Sequence, residues 1–85
     1  MLQLENKEIE IAVIGLGYVG LPLAVLFSKK YNVIGFDSDQ LRVEELNSLK
    51  DRTNEIKQTK LKESIGNNLK ITNSHNEISD CNVYI

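Results

Sequence analysis

Three glycines, Gly15, Gly17 and Gly20, stand in the spacing G-x-G-x-x-G directly behind the short apolar run Ile9-Glu10-Ile11-Ala12-Val13-Ile14. That run is brief, rich in β-branched residues and closed by glycine, which predicts a strand. Its lack of strict alternation predicts burial on both faces. From Tyr18 to about Lys30 the chain predicts a helix, with Val19, Leu23, Leu26 and Phe27 at helical spacing. Lys29 and Lys30 then close its last turn, where cations suit the helix dipole. Pro22 falls near the first turn, where a missing N–H does least harm, although it removes one early helix bond. A glycine-rich turn between strand and helix limits the chain to a few folds.

The rest of the chain repeats the alternation. Asn32 to Asp37 is a second short apolar run, and Ser38 or Asp39 can cap a helix running through Val43, Leu46 and Leu49. Asp51 to Ile65 is polar and irregular, which predicts a loop and a weak helix. Leu69 to Thr72 predicts a third strand, and Asn82 to Ile85 opens a fourth. This order defines an α/β chain, the amino-terminal part of a Rossmann-type doubly wound parallel sheet: βαβαβ plus the start of a fourth strand. Right-handed crossovers put the helices on one face of the sheet, and nothing in these residues is expected to cover the other. Residues 1–85 are therefore expected to be an incomplete fragment of a longer parent.

Each glycine has its own expected task. Gly15 permits a sharp turn where a side chain would clash, Gly17 lets a pyrophosphate approach the backbone, and Gly20 lets the helix lie close to the sheet. Free N–H groups around Tyr18 and Val19 then face an anion at a helix start. The dipole there contributes typically about 0.3–1 kcal/mol. No G-x-x-x-x-G-K-[ST] loop is present, which excludes an ATPase or GTPase of that type. Asp37 ends the second strand, placed to accept hydrogen bonds from both hydroxyls of the adenosine ribose and to repel a 2′-phosphate. NAD is accordingly expected over NADP. Arg42 bears on that choice, since a nearby arginine can accommodate the phosphate; here it is expected along the adenosine or paired with Asp37. The plainer alternatives are a tight turn without ligand, a helix-capping Asp37 and a solvated Arg42.

Composition removes other classes. A net charge of -2 offers no reason to expect nucleic acid or an anionic membrane as partner. The single cysteine, Cys81, has no disulfide or zinc partner and fits a reducing cytoplasm. Met1 to Glu10 is too acidic for a signal peptide, and the Leu21–Phe27 run is far short of the ~20 residues a membrane span requires. His75 lies in a polar turn and reads as surface. Lys50, Arg52, Lys57, Lys60 and Lys62 alternate with Asp51, Glu55 and Glu63, the pattern of a solvated helix face.

The stretch Gly15-Leu16-Gly17-Tyr18-Val19-Gly20-Leu21-Pro22-Leu23-Ala24 resembles the opening of the UDP-glucose/GDP-mannose dehydrogenases, which oxidise the C6 alcohol of a nucleotide sugar in two NAD-linked steps. The resemblance continues through Val33-Ile34-Gly35-Phe36-Asp37, Arg42 to Asn47, and Asp80 to Ile85. Lys29 to Asp37 and Asp51 to Glu55 are most similar to the branch acting on UDP-N-acetylhexosamines for bacterial surface polysaccharides. It implies cofactor binding by Gly15, Leu16, Gly17, Tyr18, Val19 and Gly20, with Tyr18 and Val19 at the pyrophosphate, Asp37 at the ribose and Arg42 on the adenosine side. The family's catalytic cysteine, its lysine and its sugar-binding domain match no residue of this chain, and Cys81 does not correspond to the nucleophile. The UDP-sugar would be bound elsewhere in a longer, homo-oligomeric protein. A UDP-glucose enzyme, another NAD-dependent dehydrogenase, or an NAD-sensing regulatory domain are the competing readings.

Overall fold

In a computed structural model residues 9–85 are described; the residues expected not to form a signal peptide lie largely outside that range. Four parallel strands, β1 (Glu10–Ile14), β2 (Asn32–Phe36), β3 (Leu69–Thr72) and β4 (Val83–Tyr84), form one sheet in the order β3-β2-β1-β4. Ile11 lies opposite Val33 on one side and Val83 on the other, and Val33 opposite Leu69. The chain moves outward from β1 to β3, then returns to place β4 on the far side of β1. β1 and β4 therefore flank the point where strand order reverses, and ligands of such sheets bind beyond the carboxyl ends of these strands.

Helices α1 (Gly20–Phe27), α2 (Gln40–Asn47) and α3 (Gln58–Gly66) share one face. There Ile11, Val13, Val33, Leu69 and Ile71 meet Leu21, Ala24, Val43, Leu46 and Leu61 in the main core. Leu46 and Leu61 are fully buried, and burying such a side chain contributes about 1.5–3 kcal/mol. Because successive strand residues point to opposite faces, Ala12, Ile34 and Phe36 look the other way. They meet Ile78 and Cys81 in a second, smaller cluster.

That cluster corrects the expectation that nothing covers the second face. The short helix α4 (His75–Ile78) crosses it between β3 and β4, and the Tyr84 hydroxyl donates to the Ile78 carbonyl at 2.5 Å. One turn of helix is too short to show periodicity, so the segment read as a polar turn. His75 opens α4 with its ring 4.7 Å from that of Phe36 and is exposed as expected.

α1 is also shorter and differently rotated than its sequence predicts. It ends at Phe27 with Ser28 as its cap, so Lys29 and Lys30 follow the helix and do not occupy its last turn. Its buried face is Leu21, Ala24 and Val25, whereas Val19 is 72% and Leu26 54% exposed. Every residue of Gly20–Phe27 is apolar or small, so spacing alone could not choose the inward face. Gly20 chooses it, as the next subsection describes. The helix bonds on either side of Pro22 are made, Leu21 N–H to Gly17 and Leu23 N–H to Val19, and Pro22 skips the one between. α2 matches its expected start, with the Asp39 carboxylate accepting from the Leu41 N–H at 3.0 Å, but it stops before Leu49, which turns at φ 65.

Candidate functional site

The glycine turn lies at the carboxyl end of β1. Gly15 has φ +90, a left-handed conformation in which a side chain is strained, while a Cβ there would meet nothing within 4 Å. Its need for glycine is conformational, not the expected clash. Gly15 N–H donates to the Phe36 carbonyl at 2.7 Å and Ile14 N–H to that of Ile85 at 2.8 Å, which anchors the turn to both neighbouring strands. A Cβ on Gly20 would sit 1.7 Å from the Gly15 carbonyl oxygen and 3.6 Å from a Val13 methyl. This contact presses α1 onto the end of β1 and sets its rotation, turning Leu21, Ala24 and Val25 inward. A Cβ on Gly17 would meet nothing.

The main-chain N–H groups of Gly17, Tyr18 and Val19 have no acceptor among the described residues, and Val19, the helix cap, offers no capping side chain. A helix start leaves its first N–H groups unbonded unless a cap or a ligand takes them. Here all three residues are exposed, beside open space at Gly17.

Leu16 has a different position. Its side chain is fully buried and fills the room left by Gly35 on β2, whose Cβ would lie 3.0 Å from it. Its main chain is engaged at both ends. The N–H donates to Asp37 Oδ2 at 2.9 Å, and the carbonyl accepts from Arg42 Nε at 2.8 Å. Asp37 Oδ1 accepts the Asp39 N–H at 2.9 Å. Two main-chain donors thus orient the carboxylate, and an ionised carboxylate has about four acceptor positions, so others stay free for a ligand. Asp39, not Asp37, caps α2.

Arg42 is not paired with Asp37. It is 5% exposed, with Nη1 3.1 Å from Asp51 Oδ1 and 3.3 Å from Glu45 Oε2. Neither Nη atom is aligned for a hydrogen bond. Asp51 in turn organises the loop between α2 and α3. It accepts from the Thr53 hydroxyl at 2.6 Å, the Glu55 N–H at 2.9 Å and the Ile56 N–H at 3.0 Å. Burial raises the Asp51 carboxyl, but bonds from Thr53 and Ile56, with the Arg42 guanidinium beside it, bring it down to about 2.

The sequence predicts this segment as a loop before a weak helix, as found, but not the part the loop plays in the crevice. The sequence reading places Arg52 on a solvated helix face, yet Arg52 and Thr53 precede α3 and line a cavity of about 520 Å³ with Gly17, Asp37, Asp39 and Arg42. The Asp51-x-Thr53 pattern, which favours an aspartate-centred turn, was the available signal. A second cavity of about 510 Å³ lies on the other side of the turn, between Gly15, Gly17, Val19, Leu23 and Ile85. Gly17 and Tyr18 border both.

An open glycine between two cavities, unbonded N–H groups and an oriented carboxylate are groups that a dinucleotide's diphosphate and ribose could use. Gly17→Ala tests this directly. With free space at Cβ and no positive φ, the melting temperature should stay within about 2 °C of wild type, whereas dinucleotide affinity by calorimetry should fall at least tenfold. Equal affinity would place the ligand elsewhere.

Fold and site define a dinucleotide-binding domain of the doubly wound type. The chain belongs to the UDP-glucose/GDP-mannose dehydrogenase family, whose NAD binding domain matches residues 9–85. It is 47% identical over 79 residues to UDP-N-acetyl-D-glucosamine 6-dehydrogenase of Pseudomonas aeruginosa, a match covering 93% of this chain and 18% of that protein. It is 60% identical over 52 residues to protein CapL of Staphylococcus aureus, covering 61% of this chain and 12% of the other. The structure of a UDP-D-ManNAc dehydrogenase from Pyrococcus horikoshii superposes with a TM-score of 0.82 at 35% identity, covering 89% of this chain and 19% of that one. The chain therefore spans less than a fifth of the length of these relatives.

Proposed function

We propose that this chain is the amino-terminal, NAD-binding portion of a longer nucleotide-sugar 6-dehydrogenase that oxidises the C6 alcohol of a UDP-N-acetylhexosamine to a uronate. The observation that carries the binding role is the joint placement of the unbonded N–H groups of Gly17 and Tyr18 with the Asp37 carboxylate around one crevice, with Val19 in the adjoining cavity. Bound NAD supplies the hydride acceptor. The glycine turn would hold its diphosphate, Asp37 the adenosine ribose, and the apolar cavity by Val19, Leu23 and Ile85 would lead toward its nicotinamide half. The relatives named above support the sugar class, and their greater length supports a sugar-binding and catalytic part outside these residues.

No residue here is proposed as catalytic. Cys81 is buried on the face opposite α1, and burial, then the charges of Glu10 and Asp80, push its thiol up, away from the thiolate a nucleophile requires. A cytoplasmic, homo-oligomeric bacterial enzyme of surface-polysaccharide synthesis, with no nucleic acid or membrane as partner, completes the proposal. Among the described residues no helix is long and apolar enough to cross a membrane.

Asp37→Ala in the full-length protein tests the cofactor site. Removing a charged acceptor should cost about 1.5–3 kcal/mol of NAD affinity, roughly 10–100-fold. Asp37→Asn, which keeps an acceptor for Leu16, separates ribose contact from support of the turn. Calorimetry showing NAD affinity unchanged in both variants removes Asp37 from the site. NADH formation across a panel of UDP-sugars identifies the substrate, and no turnover with any of them would favour a regulatory NAD-sensing role.

A further inference from the structure

Asp51 does not line the crevice beside Asp37, yet it acts on a residue that does. Its side chain is 2% exposed. Oδ1 accepts from the Thr53 N–H at 3.1 Å and the Thr53 hydroxyl at 2.6 Å, and Oδ2 from the N–H groups of Glu55 and Ile56. An ionised carboxylate has about four acceptor positions, so the loop itself fills them. The guanidinium of Arg42, with Nη1 3.1 Å from Oδ1, is therefore held by charge and gives up no hydrogen to Asp51. Its Nε donates to the Leu16 carbonyl at 2.8 Å, while Nη1 and Nη2 make no hydrogen bond among the described residues. Arg42 lines the crevice with Leu16, Gly17 and Asp37. Buried donors left unspent are costly unless a water or a ligand takes them.

We infer that Asp51 is a positioning residue for the adenosine half of the dinucleotide. Its charge holds Arg42 at the crevice wall, and the loop's claim on its acceptor positions leaves the Nη hydrogens of Arg42 for the ligand. The same tie reaches the glycine turn. Arg42 fixes the Leu16 carbonyl, and the Leu16 N–H fixes the Asp37 carboxylate at 2.9 Å, so a displaced Arg42 would disturb both. An uncharged acceptor at position 51 could still close the loop but would not hold the guanidinium. This inference rests on the NAD-site reading above.

Calorimetry with ADP-ribose, on the full-length protein, compares wild type with Asp51→Asn, Asp51→Glu, Arg42→Met and the Asp51→Asn/Arg42→Met pair. Asparagine keeps an acceptor for the loop, and Glu45, 3.3 Å from Arg42 Nη1, remains as a counter-charge, so the variant should fold. It should weaken ADP-ribose about three- to tenfold, the range for a residue that acts through another. Asp51→Glu, which keeps the charge, should lose less. Added to Arg42→Met, Asp51→Asn should cost no further affinity. Ile56→Ala loosens the packing of the loop against the core and leaves the charge in place, so it should lower the melting temperature without changing ADP-ribose affinity. Ile56→Ala weakening ADP-ribose as much as Asp51→Asn does would reduce Asp51 to loop support and overturn the inference. Wild-type affinity in Asp51→Asn overturns it too, as does an undiminished loss in the Arg42→Met background; either result leaves the NAD site standing. Wild-type protein that binds no ADP-ribose overturns the NAD site, and the role of Asp51 with it.

Discussion

Gly20→Ala is expected to destabilise the domain severely and to abolish NAD binding. The added Cβ would lie 1.7 Å from the Gly15 carbonyl oxygen and 2.9 Å from its carbon, both main-chain atoms that no rotamer change can move. Relief requires α1 to shift off the end of β1, and Leu21, Ala24 and Val25, packed in the core below it, would shift with it. Overpacking a core side chain costs about 1–3 kcal/mol, and backbone meeting backbone should exceed that. For a domain of this size each kcal/mol lowers the melting temperature by about 4–8 °C. Thermal unfolding by circular dichroism, beside an NAD titration, measures both effects. The contrast with Gly17→Ala is the useful part. On the proposed site one glycine serves the fold and the other the ligand, so the first substitution should lose both and the second only affinity. A Gly20→Ala protein that melts like wild type would mean that α1 does not rest on the turn.

Arg42→Met should be the most damaging side-chain substitution. Arg42 is the cation between the glycine turn and the Asp51 loop, and its removal leaves the Asp51 carboxylate, 2% exposed, without a counter-charge. Breaking one partner of a buried pair costs about 3–5 kcal/mol. The lower end is expected because Thr53, Glu55 and Ile56 still donate to Asp51. Denaturant unfolding gives the value, and adding Asp51→Asn to Arg42→Met should cost less than the two single changes summed. A pH signature accompanies it. The folded Asp51 carboxyl titrates at about 2, below its ordinary 3.8, so its stabilisation is complete above about pH 4 and lost as pH falls through about 2. Without Arg42 the folded value rises, the stabilisation shrinks, and acid unfolding begins at a higher pH. An Arg42→Met protein with unchanged stability but weaker NAD binding would instead make Arg42 a direct cofactor contact.

Much of the site was legible because its key parts are backbone demands. Gly15 needs a positive φ and Gly20 needs close contact, and each demand excludes nearly every other residue type; open space at Gly17 is a demand of the proposed ligand. The elements were legible for a similar reason. β3 falls on Leu69–Thr72 as its apolar run predicts, and Asp39 caps α2 because a short side-chain acceptor there satisfies a free N–H. What failed depended on partners distant in sequence. Val19 and Leu26 were expected to help form the inward stripe of α1, but a helix apolar on all sides has no stripe to read. α4 escaped because a single turn carries no period. Arg42 was visible as a cation near Asp37, but that it turns inward depends on Leu16 and Asp51, 26 residues before it and 9 after it.

The order of strands and helices, the turn that leaves amide hydrogens unbonded, and the acid at the end of β2 follow from local chemistry, since steric limits and short-range hydrogen bonding act within a few residues. The rotation of α1, the cover that α4 gives the second face, and the inward pairing of Arg42 with Asp51 arise only in the packed chain. Those outcomes are set by which groups exclude water from one another, and the chain's linear order does not specify that.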